Sequence, residues 1–167
     1  GNLLTTLLAF RDPVKKRVVI QADLATVNLL PEDSPWDVAY AGCASHARRR
    51  FVKCEDDDAN GPCVIQLFRT LYFHEAELSY FGRNIENTTA VRGVTSRSYW
   101  EMLREDCEDI ASKWSKETGL GEAARYVLSH FKELTYYLND PQVTISNDFC
   151  ERMLRMEKLN LANSHFR

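Results

Sequence analysis

The stretch RVVIQAD, Arg17–Asp23, decides how this chain folds. Val18, Val19 and Ile20 follow one another with no polar residue between them, which predicts a strand buried on both faces of a sheet. Asp23 comes directly after this strand. Because α/β folds place their sites at the carboxyl ends of buried strands, Asp23 is the first candidate for a functional acid.

Beyond this strand the chain changes from short extended segments to long helices. A second strand is predicted at Asp37–Gly42, and a short extended segment at 143–146. Two long apolar stripes at helical spacing, 99–114 and 120–138, are expected to pack as an antiparallel pair. The expected fold class is α+β, mostly helical, with two or three short strands. The predicted helices cover 44–53, 64–80, 99–114, 120–138 and 148–161.

The composition is that of an ordinary soluble globular domain, with 44% hydrophobic and 27% charged residues in a chain of 167. No run of 18 apolar residues occurs, so we predict neither a membrane span nor a signal peptide. Five cysteines without a framework spacing favour reduced thiols and a cytoplasmic location. The net charge of −3 means that any contact with nucleic acid must come from a local basic patch.

Glu151, in the segment ISNDFCERMLR at 145–155, is the second candidate acid. A helix that packs across the edge of the sheet can bring it to Asp23, and two carboxylates together can hold a divalent metal. A structural role is the alternative. Asp148 and Glu151 have the spacing of a capping box, with Arg155 one turn further on, and Asp23 by itself is also suited to cap a turn.

A basic run and a histidine lie on the helix after the second strand. Arg48, Arg49 and Arg50 are successive, so on a helix they fan over roughly 200 degrees and at most two can face one DNA backbone. The alternative for this run is a solvated helix face. His46, in the first turn, is either a ligand or proton carrier or a packed, capping residue. Four potential zinc ligands match no common zinc module in their spacing: Cys43, His46, Cys54 and Cys63.

Three segments in a fixed order carry a family resemblance: IQAD at 20–23, GCASHARRRF at 42–51 and ISNDFCERMLR at 145–155. Together they resemble the catalytic domain of the insertion-sequence sixty-six transposases, a branch of the DDE transposases with a ribonuclease-H-like core. The resemblance covers most of the chain from Val18 onward. It implies that Asp23 and Glu151 are the second and third acids of a metal triad.

Such a triad holds magnesium or manganese ions, which activate water or a DNA 3′-hydroxyl for attack on a phosphodiester. The resemblance therefore implies Mg²⁺ or Mn²⁺ as cofactor and DNA as partner. The residues that it implies as DNA contacts are His46, Arg48, Arg49, Arg50, Arg152 and Arg155.

Departures from the family pattern predict a fragment. The family's first acid lies on the first strand of a three-stranded meander, for which the 22 residues before Asp23 leave too little room. Asp12, in RDPV, has the sequence context of a turn. After the last acid, NLAN at 160–163 replaces the family's Gly-Arg-Lys-Asn, which weakens a grip on phosphates. We expect one domain over 1–167, with an incomplete ribonuclease-H-like core at 17–62, a helical insertion at 63–140 and the last-acid helix at 141–167.

The expected function is therefore that of a fragment of a transposase catalytic domain, inactive alone and with no tightly bound metal. The alternative is a non-catalytic helical remnant that binds DNA or protein, and oligomer formation stays open. Because an incomplete sheet leaves a strand edge bare, we expect another copy or the segment Asn2–Phe10 to cover the edge of the strand at Val18–Ile20.

Overall fold

A computed structural model of the protein describes residues 3–10, 17–25, 29–30, 34–56 and 60–164. Asp12 lies outside these residues. The described chain is mainly helical and contains a small parallel sheet, which confirms the predicted α+β class. None of the described helices is long and apolar enough to cross a membrane.

Helices and strands follow one another much as the sequence predicts. A π-helical turn at 92–96 joins the fourth helix to the fifth, and a short 3₁₀ turn covers 136–138. The strands are β1 (Val18–Ala22) and β2 (Val38–Gly42), and the helices are α1 (Leu3–Leu8), α2 (Ala44–Val52), α3 (Asn60–Tyr80), α4 (Ile85–Val91), α5 (Arg97–Lys113), α6 (Gly119–Ser129), α7 (Phe131–Leu134) and α8 (Asp148–Ser164).

The sheet in the described residues has two parallel strands in register, from Val18 opposite Val38 to Ala22 opposite Gly42. Parallel pairing brings the carboxyl ends of both strands to one edge. Asp23 follows β1 at this edge, and α2 begins two residues after β2. The sheet therefore places the candidate acid beside the helix that carries the basic run.

The core lies between α2, α3, α5 and α6. Phe51, Phe68 and Trp100 are fully buried, and each ring packs against the next. The ring centroids of Phe51 and Phe68 are 6.3 Å apart, and those of Phe68 and Trp100 are 5.8 Å apart. The indole of Trp100 donates a hydrogen bond of 3.0 Å to the Tyr137 hydroxyl, so its polar end is satisfied. Burial of this aromatic column fixes the orientation of α2 against α3 and α5.

The predicted antiparallel pair is α5 and α6, joined by a tight turn. Thr118 caps α6 by accepting the Gly121 amide at 3.1 Å. A Cβ at Gly121 would lie 2.1 Å from the Ser115 carbonyl oxygen, so only glycine allows this close approach.

The predicted long helix over 120–138 is wrong in its length. α6 ends at Ser129, and the stripe continues as α7 and the 3₁₀ turn. Ser129 Oγ and His130 Nδ1 both bond the Tyr126 carbonyl oxygen, at 3.1 and 2.9 Å, and so compete with the backbone ladder. The extended segment predicted at 143–146 forms no strand in the described structure.

A buried ion pair joins three distant parts of the fold. Arg92, in the π-helical turn, pairs with Glu75 of α3 through two bonds of 2.8 Å. Its remaining amino group donates to the carbonyl oxygens of Tyr137, Asp140 and Val143 at 2.8 to 3.0 Å. The Arg92 side chain is 1% exposed, so these bonds replace its water entirely. Arg92 therefore fixes the segment that leads to α8.

We predict that Arg92→Ala lowers the free energy of unfolding by about 3 to 5 kcal/mol, because Glu75 and three carbonyls lose a buried partner. Urea unfolding followed by circular dichroism measures this. Arg104→Ala is the control, since Arg104 pairs with Glu101 at the surface and its loss should cost less than about 1 kcal/mol. Equal losses in the two variants would contradict the role given to Arg92.

Candidate functional site

Asp23 and Glu151 line the same cavity although 128 positions separate them in the chain (151 − 23). The cavity has a volume of about 360 Å³ and lies between the end of β1 and the first turn of α8. Leu4 of α1 lines it beside Ile20 and Gln21, so the first helix lies next to β1. Both acids line this cavity, and a metal ion shared by their carboxylates stays a prediction.

The segment before α8 determines where Glu151 lies. Gln21 at the end of β1 exchanges two hydrogen bonds with Thr144, of 2.5 and 2.9 Å. The first amide of α2, Ala44 N–H, donates to the Ile145 carbonyl oxygen at 3.1 Å. The carboxyl end of β1 and the start of α2 thus hold this segment, and α8 begins three residues after Ile145.

Asp148, the first residue of α8, joins that helix to α2. Its carboxylate accepts hydrogen bonds from Ser45, from Ser146 at 3.0 Å and from Arg49 at 3.3 Å. Ser45 also bonds the hydroxyl of Tyr72, with 2.8 Å between the oxygens. Burial raises the pKa of Tyr72 to about 12, so this phenol stays protonated at neutral pH.

The Glu151 carboxylate lies between the side chains of His46 and Arg155. His46 Nε2 is 3.8 Å from Oε1, and an Arg155 amino nitrogen is 3.7 Å from Oε2. The pair with Arg155 belongs to the structural alternative. In a capping box, however, the Glu151 side chain would return to the backbone of Asp148, and Asp148 makes its side-chain bonds to α2 and Ser146 instead.

Two buried polar atoms near Glu151 have no hydrogen-bond partner among the described residues. They are His46 Nδ1 and Asn147 Oδ1. Asn147 lines the cavity of the two acids. Unpartnered buried polar atoms are rare in folded proteins, and these two belong to residues that line different cavities, His46 beside Arg49 and Asn147 beside the two acids.

Asp23 lies in a sharp turn after β1. Its Oδ1 accepts the Ala25 amide at 3.1 Å, and its backbone oxygen accepts the Tyr126 hydroxyl at 2.9 Å. Leu24 has a φ of 62°, a left-handed conformation that is rare for a branched side chain. Asp23 therefore caps this turn, as the structural alternative predicts. The same turn keeps the Asp23 carboxylate at the cavity.

The basic residues divide between different sides of α2. Arg49 and Arg50 line a second cavity of about 360 Å³ together with Asp23 and His46. Arg48 faces a separate cavity. This is the division that the helical fan of three successive residues predicts. A third cavity, beside Glu151, is lined by Arg49, Asp148, Glu151, Arg152 and Arg155.

Sequence reasoning missed three residues around the acids. Lys53 lines the cavity with Asp23, and its position one turn after Arg49 was an available signal. Tyr126 also lines it, and Asn147 lines the cavity with Glu151. Tyr126 had no signal of its own, because its partners, the Asp23 carbonyl and Arg50, are distant in the sequence.

The zinc alternative has no support in the described part of the chain. No three His, Cys, Asp or Glu side chains there are arranged to hold a metal ion. Cys43 and Cys54 are buried, whereas Cys63 is exposed.

The family profile described as Transposase IS66 family matches residues 21–167. The chain belongs to this transposase family.

Two curated relatives come from Sinorhizobium fredii (strain NBRC 101917 / NGR234), and both are named as uncharacterized proteins. The chain is 25% identical to y4jD over 135 residues and 24% identical to y4hP over 141 residues. These matches cover 80% and 77% of this chain but 26% of each relative. The chain thus spans about a quarter of the length of these relatives. No solved structure matches it.

We predict that Asp148→Ala lowers the free energy of unfolding by about 2 kcal/mol, because Arg49 and two hydroxyls lose a charged partner. The same change should accelerate amide hydrogen exchange at Glu151, whose N–H bonds the Asn147 carbonyl at 3.0 Å. Asp109→Ala removes only an exposed pair with Lys113 and serves as control, with a loss below about 0.5 kcal/mol. Unchanged exchange in the first turn of α8 would contradict the role of Asp148.

Proposed function

We propose that this chain forms part of the catalytic domain of a DNA transposase, in which Asp23 and Glu151 are two of the metal-holding acids. One observation carries this proposal: the two acids line one cavity, at the sheet edge and helix face where the family resemblance expects them. The described β1–β2–α2 unit is assigned to an incomplete ribonuclease-H-like core. Within this assignment, 63–140 is a helical insertion and 141–167 carries the last acid.

The residues at the cavity fit a magnesium or manganese ion. Asp23 and Glu151 supply carboxylate oxygens, and the unpartnered amide oxygen of Asn147 is a further oxygen donor. Oxygen ligands of this kind suit Mg²⁺, which keeps several waters and needs few protein ligands. When bound, such ions activate a nucleophilic oxygen and stabilise charge at a phosphodiester.

The remaining side chains orient the acids and attract the DNA. His46 and Arg155 hold the Glu151 carboxylate from two sides, and the turn at Asp23 holds the other acid. A positive border surrounds the acids on a protein whose net charge is −3. It is formed by Arg152 and by the arginines of α2, among them Arg49. A local patch of this kind binds phosphates despite the overall charge.

Two acids are fewer than the triad that the family's chemistry requires. We therefore propose that this chain alone neither nicks DNA nor transfers strands, and that the whole protein supplies the first acid. The non-catalytic alternative predicts instead that the two acids hold no ion at all. Association with further copies of the chain remains a prediction.

We predict that the purified chain binds one Mn²⁺ weakly, and that Asp23→Asn and Glu151→Gln each weaken this binding at least about tenfold, since each removes a charged ligand. Isothermal titration and the electron paramagnetic resonance signal of free Mn²⁺ measure the affinity. Glu101→Gln is the matched control, because Glu101 lies on α5 in a surface pair with Arg104. Equal Mn²⁺ affinity in all four proteins would refute the metal site.

A further inference from the structure

The cavity between Asp23 and α2 is lined by apolar and aromatic groups in addition to the basic side chains that a phosphate contact requires. Basic side chains line one part of it: His46, Arg49, Arg50 and Lys53. Leu24, Ala25 and the ring of Tyr126 line another part. Its volume of about 360 Å³ is within the range of small-ligand pockets, which begin at roughly 300 Å³.

Contacts with two side chains hold the planar guanidinium group of Arg50 at this cavity. Its guanidinium carbon lies 4.0 Å from the centre of the Tyr126 ring, and an amino nitrogen lies 2.5 Å from Glu122 Oε1. Tyr126 is held in turn by its bond to the Asp23 carbonyl and by the His130 ring, whose centroid is 4.6 Å away. The Tyr126 ring and Glu122 therefore both hold the Arg50 guanidinium at this cavity.

Glu122 partly neutralises the charge of Arg50. The surface of the Arg50 guanidinium, by contrast, is not fully covered by other side chains. The side chain remains 39% exposed, with Tyr126 on one face. A guanidinium plane stacks well on a nucleobase. Lys53, by contrast, pairs with no carboxylate in the described part of the chain and keeps its full charge for a phosphate.

We propose that this cavity binds one unpaired deoxynucleotide of the DNA strand that runs past the acids. The base stacks on the exposed face of Arg50, and the phosphate contacts Arg49 and Lys53. A base in a duplex cannot reach this plane without leaving its stack, so the nucleotide is one that is extruded or already single-stranded. The inference rests on the proposed function for the path of the DNA.

A second basic cavity provides a matched control. It has a volume of about 340 Å³ and also contains two arginines, Arg48 and Arg69, beside Ser45, Tyr72 and Asp148. Neither of these arginines stacks on an aromatic ring within the described structure. This cavity therefore has positive charge but no guanidinium group stacked on an aromatic ring.

The test measures binding in EDTA, so that no metal contributes, by NMR titration of the isotope-labelled chain. The probes are dAMP and 2-deoxyribose 5-phosphate, which lacks the base. We expect dAMP to bind about tenfold more tightly. Arg50→Lys keeps the charge but removes the plane, so it should weaken dAMP binding about tenfold and leave the sugar phosphate unchanged. Arg69→Lys should change neither affinity. Equal binding of the two probes, or equal effects of the two variants, would overturn the proposal.

The same titration with a short single strand and its duplex connects the cavity to DNA. The single strand should shift the same amide signals as dAMP and bind more tightly than the duplex. A cavity that binds dAMP but not the single strand would overturn the assignment to DNA. Because these measurements need no metal, they are independent of the Mn²⁺ titration. A failed metal site with intact nucleotide stacking would thus count against the proposed function alone.

Discussion

The buried contact between Arg92 and Glu75 is the constraint on which the rest of this structure depends. One guanidinium makes five hydrogen bonds, two to the carboxylate and three to carbonyl oxygens between Tyr137 and Val143. A charge removed from water in this way is stable only if every partner stays in place. The π-helical turn, α3 and the segment after the 3₁₀ turn are therefore fixed as one unit. That segment continues directly to Thr144 and Ile145, which bond β1 and α2.

The candidate site follows from this arrangement, since neither acid is positioned by its own element alone. β1 ends at the sheet edge and turns through Leu24, while α8 is held at its first residue by Asp148. The cations lie on α2, which starts from the same edge. Hydrogen bonds across the three elements thus bring a strand end, a helix start and a basic face to adjoining cavities. The position of Glu151 therefore depends on the bonds that hold the segment before α8. Without them, α8 and Glu151 would have no defined position relative to β1.

Local sequence patterns predicted the elements that carry strong signals. The apolar run at β1, the second strand and the helices α2 and α5 lie close to where they were expected. The break after Ser129 was not predictable from periodicity, because side-chain bonds to the Tyr126 carbonyl end the helix while the apolar stripe continues. Arg92 looked like a polar residue in an uncertain segment, because a buried arginine has no local signature before its distant partners are known. Tyr126 could not be predicted for a related reason, because both its hydroxyl and its ring contact residues that are distant in the sequence.

The central claim is that Asp23 and Glu151 form one metal-holding pair at the edge of the sheet. Anomalous diffraction from crystals of this chain soaked in Mn²⁺ tests it most directly. We predict one peak in the cavity between β1 and α8, within about 2.0 to 2.3 Å of a carboxylate oxygen from each acid, as expected for a small hard cation. A peak at one acid without the other, or carboxylates more than about 10 Å apart in the Mn²⁺-soaked crystal, would contradict it.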